Sequence, residues 1–322
     1  MTTKSASGRG PVVTRKAFLE GTVAAAGALA AGGLAGLAGP GGPALAAEVA
    51  TRPIPSSGER IPVVGLGTAR VYDVAPDDPK VPVLRATVDA FVKGGGKVID
   101  TSPTYGRSEP MVGRLVGELG ARDRLFLATK ISTSGEQAGI DSVGVSMRSL
   151  GTDRIELLQV HNIKDVGTQL RTIRRLKEAG KVRYAGITIS NARAYERFEK
   201  LMRSEPLDFI QVNYSLGQPE SAERILPLAR DKGIAVLVNR PFWLARLFRK
   251  AKGHDLPPWS AEFDGKSWAQ FFLKFILGHP AVTCAIPGTD RPEYMVDNLG
   301  AGIGRMPDQR TRARMLAFWQ RL

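Results

Sequence analysis

The sequence predicts an α/β protein, a closed (β/α)8 or TIM barrel built as a single domain over residues 61–322. Two observations support this prediction. From Ile61 onward, short apolar segments with β propensity alternate with helical patterns eight times, which is typical of a parallel sheet covered by helices. Polar side chains follow several of these segments, as they do at the carboxyl ends of barrel strands.

An open doubly wound sheet is the alternative fold. Such a sheet usually binds a dinucleotide through a glycine fingerprint at the start of its first helix. The first strand here carries Gly65-Leu66-Gly67-Thr68, which lacks the third glycine and is not followed directly by a helix. The barrel is therefore favoured.

Residues 1–47 predict an export signal peptide. Four basic residues precede a long Ala/Gly-rich run that ends in the cleavage signal Ala44-Leu45-Ala46. The segment Thr14–Leu19 is similar to the twin-arginine motif, with Lys16 in place of the second arginine. We therefore expect the twin-arginine export machinery as a partner and a periplasmic or other extracytoplasmic location. The Gly and Pro content of the run disfavours a stable membrane span.

Charge and cysteine content restrict the possible partners and the compartment. The formal net charge of +14 falls to +11 without the leader, which carries four basic residues and one acidic residue. The remaining Lys and Arg residues are dispersed without aromatic interleaving, so a nucleic-acid partner is not expected. The single cysteine, Cys284, cannot form an internal disulfide and is predicted to be a small buried apolar residue.

The elements follow in a regular order after a polar, irregular spacer at residues 48–60. The strands are predicted at Val63–Thr68, Lys97–Thr101, Leu125–Lys130, Ile155–His161, Tyr184–Ile189, Phe209–Asn213, Ala235–Asn239 and Val282–Ile286. The helices are predicted at residues 83–94, 109–120, 137–150, 168–179, 192–203, 219–232, 266–278 and 291–302, with a final amphipathic helix at 308–322. Ser108 is predicted to cap the second of these helices. The long aromatic insertion at 240–266 is expected either to build a substrate pocket or to pack on the barrel rim.

Four residues with acid, base or hydrogen-bonding side chains lie at the ends of predicted strands: Asp100, Tyr105, Lys130 and His161. On a barrel these ends converge on one face. A tyrosine is a weak acid until a neighbouring ammonium stabilises its phenolate, and Asp100 can fix that ammonium in place. His161 can donate a hydrogen bond to a carbonyl oxygen. We refer to these four residues as the tetrad. A buried Tyr–Asp hydrogen bond is the purely structural alternative.

The chain resembles the aldo-keto reductase family over nearly all of residues 58–303. The motifs that carry the resemblance are Gly65–Thr68, Ile99–Thr101, Tyr105–Glu109, Ala128–Lys130, Leu158–His161, Gly180–Ile187, Ile189–Asn191, Gln211–Tyr214, Ile286–Thr289 and Asp297-Asn298. The resemblance implies a catalytic tetrad at the four positions named above. It also implies that Ser190, Asn191 and Gln211 hold the nicotinamide carboxamide, although helix and turn capping is the structural alternative for these three residues.

The resemblance further implies a dinucleotide that crosses the carboxyl face of the barrel. The expected additional contacts are Gly67, Thr68, Arg240, Phe242, Gly288, Thr289, Arg291 and Asn298. Two positions depart from the family pattern. Asn239-Arg240 replaces an aromatic residue that stacks on nicotinamide, so Arg240 or Phe242 is expected to substitute for it. Gly288 and Tyr294 replace the basic residues that bind a 2′-phosphate, which leaves Arg291 for that role. NADP(H) is the default over NAD(H), and no metal is expected.

The predicted function is the NAD(P)H-dependent reduction of an aldehyde or ketone, with a small carbonyl compound as the substrate and Tyr105 as the proton donor. One alternative is a nucleotide-binding barrel with a redox-sensing or regulatory role. Another is a sugar- or polyol-binding protein, for which only the aromatic insertion provides support. The physiological substrate and the oligomeric state do not follow from the sequence.

Overall fold

The computed structural model describes residues 48–322. The predicted export signal at residues 1–47 lies outside the described residues. Within residues 48–322, none of the helices combines the length and the hydropathy that a transmembrane span requires.

Eight parallel strands form the sheet. They are β3 (Leu66–Gly67), β4 (Val98–Asp100), β5 (Phe126–Ile131), β6 (Ile155–His161), β7 (Val182–Thr188), β8 (Phe209–Asn213), β9 (Ala235–Asn239) and β10 (Cys284–Ala285), after a separate pair β1 (Thr51–Pro53) and β2 (Arg60–Pro62). Each strand of the sheet is hydrogen-bonded to the next strand along the chain.

The sheet closes on itself between its first and last strands. Parallel bridges join Val64 to Ala285 and Gly67 to Gly288, and the Gly65 N–H donates to the Ala285 carbonyl at 2.8 Å. This closure confirms the predicted (β/α)8 barrel and excludes the open doubly wound sheet. The barrel therefore has one face at which all the strands end.

The segment predicted as an irregular spacer is partly ordered as a hairpin. β1 and β2 pair in antiparallel fashion, with Arg52 opposite Ile61. Ile54 and Ile61 are both buried, and they pack with Val98 and Phe126 inside the barrel. The hairpin thus closes the amino-terminal end of the barrel, which has to be covered because the strands expose apolar side chains there. The expectation of irregular structure over residues 48–60 was wrong in this respect.

The helices surround the sheet. They are α1 (Val81–Lys93), α2 (Ser108–Glu118), α3 (Glu136–Leu150), α4 (Val166–Glu178), α5 (Tyr195–Ser204), α6 (Ile225–Asp231), α7 (Arg246–Ala251), α8 (Trp268–Leu277), α9 (Pro292–Gly300) and α10 (Gln309–Arg321). The predicted helices are confirmed with small shifts at their ends, whereas α7, in the aromatic insertion, was not predicted. The capping role predicted for Ser108 is wrong: this residue is the first of α2, and its hydroxyl donates to Thr68 Oγ1 at 2.8 Å.

Two apolar clusters follow from the alternation of side chains along the strands. One fills the barrel and includes Phe126, Tyr184, Phe209 and Cys284, while the larger one lies between the sheet and the helices. Cys284 is fully buried, which confirms its prediction as a small apolar residue.

Some aromatic residues of the insertion pack on the rim of the barrel, and others lie beside the cavity at its carboxyl face. Trp259 packs edge-to-face against Phe271 of α8 and Phe318 of α10, with ring centroids 5.6 and 5.7 Å apart. Phe242 and Phe248 instead lie beside the opening at the carboxyl face, with their ring centroids 4.8 Å apart. Helix α10 covers part of the barrel, as expected: it packs against Trp259 of the insertion and against α8, and its residues Met315 and Trp319 are buried.

Candidate active site

The inward-facing side chains change from apolar to polar at the carboxyl ends of the strands. Along the interior series, Val98 is followed by Asp100, Ala128 by Lys130, Leu157 by Gln159 and His161, Phe209 by Gln211, and Leu237 by Asn239. Because strand side chains alternate, each pair points to the same side of the sheet. The parallel order of the strands then collects all the polar groups at one end of the barrel.

Asp100 and Lys130 form a buried ion pair at the centre of this end. Lys130 Nζ lies 2.7 Å from Asp100 Oδ2 and also donates to the Thr101 carbonyl at 2.6 Å. The other carboxylate oxygen, Oδ1, accepts from the side-chain amides of Gln211 at 2.8 Å and Gln159 at 3.2 Å. Such a fully hydrogen-bonded pair is the condition under which buried charges are tolerated.

The ammonium of Lys130 also faces Tyr105. Lys130 Nζ lies 5.0 Å from the centroid of the Tyr105 ring. Burial opposes the charged form of Lys130, but the carboxylate of Asp100, aided by Tyr105, outweighs it and holds the Lys130 pKa above its ordinary value. Lys130 is therefore a fixed cation beside the phenol at neutral pH.

His161 lies opposite Tyr105 in a neutral state. The two rings are arranged edge-to-face, with their centroids 6.0 Å apart. Burial, and then the positive charge of Lys130, lower the pKa of His161 to about 4. Its Nδ1 is 2.7 Å from Ser132 Oγ, and 3.4 Å from the hydroxyl oxygens of Ser102 and Thr104. When a hydroxyl donates to Nδ1, the proton of the neutral ring is on Nε2, where it is available for a ligand.

A cavity of about 1160 Å³ opens above these groups at the carboxyl face. Its lining includes Asp100, Tyr105 and His161 of the tetrad, whereas Lys130 lies beneath its floor. A second cavity of about 870 Å³ lies at the opposite end of the barrel. That cavity is lined by ion-paired residues such as Arg122 and Glu156, and none of the tetrad reaches it. The chemistry of the tetrad therefore belongs to the carboxyl-face cavity.

Most of the residues predicted to contact a cofactor line the same cavity, namely Gly67, Thr68, Ser190, Gln211, Arg240, Phe242, Gly288, Thr289 and Asn298. Asn191 and Arg291 do not. Asn191 is exposed and precedes a short 3-10 turn, without a capping hydrogen bond from its side chain. Arg291 is exposed and lies beside Glu293, at 3.8 Å, and the Tyr294 ring. Gln211 lines the cavity, but its amide is engaged with Asp100, Thr188 and Asn239.

Two features of the cavity floor concern the proposed dinucleotide. At the barrel seam the backbone of Gly67 approaches Ile286 so closely that an added Cβ would lie 2.7 Å from the Ile286 carbonyl oxygen. Gly67 and Gly288 face each other across this seam, and a side chain at position 67 would collide with the neighbouring backbone. In addition, Asn239 lines the cavity, and its buried Oδ1 has no hydrogen-bond partner within residues 48–322. A buried acceptor of this kind normally receives a hydrogen bond.

Several residues at this site were not predicted from the sequence. Gln159 precedes His161 by two positions, so strand alternation alone would place it on the inner side. Ser132 and Arg70 belong to loops, and no local pattern marks their contacts. Within residues 48–322 there is no cluster of three or more His, Cys, Asp or Glu side chains placed to hold a metal ion.

The comparisons with known proteins agree with one another. A family model described as the Aldo/keto reductase family matches residues 63–313. The chain is 29% identical over 276 residues to Aldo-keto reductase YhdN of Bacillus subtilis (strain 168), covering 71% of this chain and 81% of that protein. It is 25% identical over 251 residues to the D-galacturonate reductase of Fragaria ananassa, and this match covers 68% of this chain and 75% of that protein.

A solved structure gives the same result at the level of the fold. The aldo/keto reductase from Klebsiella pneumoniae, crystallised in complex with NADP and acetate, superposes with a TM-score of 0.69. The sequences are 25% identical, and the match covers 81% of this chain and 93% of the Klebsiella chain.

Proposed function

We propose that this chain, which belongs to the aldo/keto reductase family, reduces an aldehyde or ketone to an alcohol with NADP(H) as its cofactor and Tyr105 as the proton donor. As a member of that family the chain is an NAD(P)H-dependent oxidoreductase. The observation that carries the finer proposal is the arrangement of the tetrad. The Asp100–Lys130 ion pair lies beneath the Tyr105 ring, with His161 opposite it, at the floor of one cavity.

His161 and Tyr105 have different roles at the carbonyl oxygen of the substrate. His161, neutral at physiological pH, donates from Nε2 to that oxygen and fixes its position. Tyr105 transfers its phenolic proton to the same oxygen as negative charge develops there, and Lys130 stabilises the phenolate that remains. When bound, the nicotinamide supplies the hydride for the carbonyl carbon. Asp100 keeps Lys130 charged and in place, and the amides of Gln159 and Gln211 hold Asp100.

NADP(H) is proposed as the cofactor because the Klebsiella protein, an aldo/keto reductase with the same fold, was crystallised in complex with NADP. Arg291, which lies beside Glu293 and Tyr294, remains the proposed partner of the 2′-phosphate. Ser190, Asn191 and Gln211 remain the proposed contacts of the carboxamide. To bind the carboxamide, Gln211 would have to give up one of its present hydrogen bonds to Asp100, Thr188 or Asn239. The dissociation constants of NADPH and NADH, measured by fluorescence titration, test these assignments.

Turnover with a panel of aldehydes tests the reaction. The panel should contain neutral aliphatic aldehydes, neutral sugars and a sugar acid such as D-galacturonate, because one relative is named for its reduction. The oxidation of NADPH or NADH is followed by absorbance. We expect reduction of at least one class, and we expect Tyr105→Phe to abolish it while NADPH binding persists. Tight cofactor binding without turnover across the panel would instead favour the redox-sensing or regulatory role.

A further inference from the structure

Two arginine side chains line the cavity beside the tetrad, Arg70 from the loop after β3 and Arg240 from the loop after β9. Some arginines elsewhere in the described chain are paired with carboxylates, as Arg183 is with Glu59 and Arg305 with Asp264. Within residues 48–322, neither Arg70 nor Arg240 has a side-chain hydrogen bond or an ion pair. Two guanidinium groups thus lie at the site with all of their donors available.

The two guanidinium groups act on each other and on the reaction site. Partial burial, and then the positive charge of Arg70, lower the pKa of Arg240, while Tyr105 acts in the opposite direction. Arg240 is therefore within electrostatic range of both Arg70 and the proposed proton donor. Arg70 is exposed and Arg240 is half-buried. The repulsion between these like charges is unfavourable, and a bound anion would relieve it.

Both arginines have an unusual backbone conformation. Arg70 has φ +71° and Arg240 has φ +50°, in the left-handed region that non-glycine residues rarely adopt. In the loop after β9, Trp243, Leu244 and Ala245 share this feature. Such conformations persist only where the surrounding structure fixes them, and they occur often at ligand sites. The arginine side chains accordingly start from fixed positions on the cavity wall.

The acidic residues that line the cavity already have partners. Asp100 is neutralised by Lys130. Asp73 accepts the Arg107 backbone N–H at 2.9 Å, and Asp297 accepts from Ser267 and Gln270. These acids therefore do not pair with the two arginines. Arg70 and Arg240 are available to an anion that comes from solution.

We infer that Arg70 and Arg240 bind a carboxylate of the carbonyl substrate, so that the enzyme prefers aldehydes or ketones that carry an acid group. This inference rests on the reduction proposed above and narrows its substrate class. A planar guanidinium matches a carboxylate in two parallel hydrogen bonds. Tyr105 and His161 face the carbonyl, while the arginine pair holds the acid group beside it.

The test compares two substrates that differ in charge but hardly in size, succinic semialdehyde and its methyl ester. Arg70→Gln and Arg240→Gln should each lower kcat/KM for the acid by about tenfold to a hundredfold, which is the range of a charge-assisted hydrogen bond. Most of the loss should be in KM, because the contact is the same in the ground state and the transition state. In Arg70→Gln the ester should be little affected, and NADPH should bind with unchanged affinity. Arg240 is also an expected cofactor contact, so Arg240→Gln is judged by the loss for the acid relative to the loss for the ester.

Arg246→Gln is the matched control. It removes the same charge from the same part of the chain, but Arg246 lies over the Trp243 ring, 5.0 Å from its centroid, and does not line the cavity. It should therefore leave the preference for the acid intact. Thermal denaturation of each variant shows whether it is folded, and Arg→Lys versions keep the charge while they remove the bidentate geometry.

Three results would overturn the inference. If both substrates lose rate equally and NADPH binds more weakly, the arginine pair holds the phosphates of the cofactor. If neither glutamine variant changes the rate with either substrate or the affinity for NADPH, the two arginines contact only solvent. If the parent enzyme does not prefer the acid over the ester, the substrate class is wrong. Calorimetric titration of the NADP⁺ complex with succinate, which is not reduced, needs no turnover. Succinate binding that is lost in both glutamine variants would support the anion site even if the proposed reaction failed.

Discussion

Lys130→Met should separate the electrostatic role of this residue from its structural role. The substitution removes the cation whose Nζ lies 5.0 Å from the centroid of the Tyr105 ring. At that distance and an effective dielectric constant near 20, two unit charges interact by about 3 kcal/mol. This energy corresponds to about 200-fold in rate. Because the phenol carries only part of a charge in the transition state, the direct effect is smaller than that of two full charges at the same separation.

The same substitution also destabilises the protein. It leaves the Asp100 carboxylate buried with only the amides of Gln159 and Gln211 as partners. Breaking a buried ion pair from one side costs about 3–5 kcal/mol of folding free energy, which lowers Tm by roughly 10 °C for a chain of this size. The double variant Asp100→Asn/Lys130→Met removes the stranded charge. It should regain much of the lost stability and yet remain slow.

Steady-state turnover against pH, thermal denaturation and NADPH titration of the parent and both variants measure these effects. We expect Lys130→Met to retain NADPH binding and to turn over slowly at neutral pH. The reduction rate should not recover at alkaline pH, because ionisation of the phenol removes the proton that Tyr105 has to donate. A Lys130→Met enzyme that matched the parent at neutral pH would refute the activation of Tyr105. If the double variant recovered its activity together with its stability, the effect of Lys130 would be structural alone.

Three further predictions concern other parts of the chain. Tyr105→Phe should lower carbonyl reduction by ~10²–10⁴-fold, as expected for loss of a general acid, with NADPH affinity unchanged; a rate near that of the parent would assign the proton to another group. The pKa values of His161 and His279 are both lowered by burial to about 4 from an ordinary value of 6.5, so the unfolded chain binds more protons than the folded chain between these limits. Stability should therefore fall as the pH is lowered from 6.5 to 4, and His279→Gln should weaken this dependence without affecting turnover, whereas an unchanged denaturation profile would contradict the burial argument. The leader should be removed near Ala47 in exported protein, which N-terminal sequencing of cell fractions can decide; an intact Met1 or Thr2 on cytoplasmic protein would refute both cleavage and export.

The repeating pattern of the sequence was sufficient to predict the barrel and the positions of the tetrad. A strand of a parallel sheet is buried on both faces, so its apolar run stands out, and a polar residue at its end is conspicuous. Asp100, Lys130 and His161 each occupy such a position. Once the strands are known to be parallel and consecutive, their carboxyl ends must meet, and the convergence of these residues requires no knowledge of the loops.

Short and polar elements were harder to predict. The hairpin of β1 and β2 contains only three residues per strand, and its stability comes from Ile54 and Ile61 packing inside the barrel. Ser108 follows the usual preference for a helix cap, but the tertiary structure places it at a buried position where its hydroxyl donates to Thr68. In both cases a contact between distant parts of the chain outweighs the local preference.

The connections between side chains were decided by the tertiary structure alone. The family resemblance implies that Gln211 contacts a cofactor, but nothing in the sequence indicated that its amide also donates to Asp100, 111 residues away. Nor did the sequence indicate that Arg70 and Arg240 share one cavity, because their loops follow the first and the seventh strands of the barrel. Local propensity and periodicity determine which residues form strands and which end them. Hydrogen bonds and unpaired charges at the site depend on distances across the barrel, and those distances exist only once the sheet has closed.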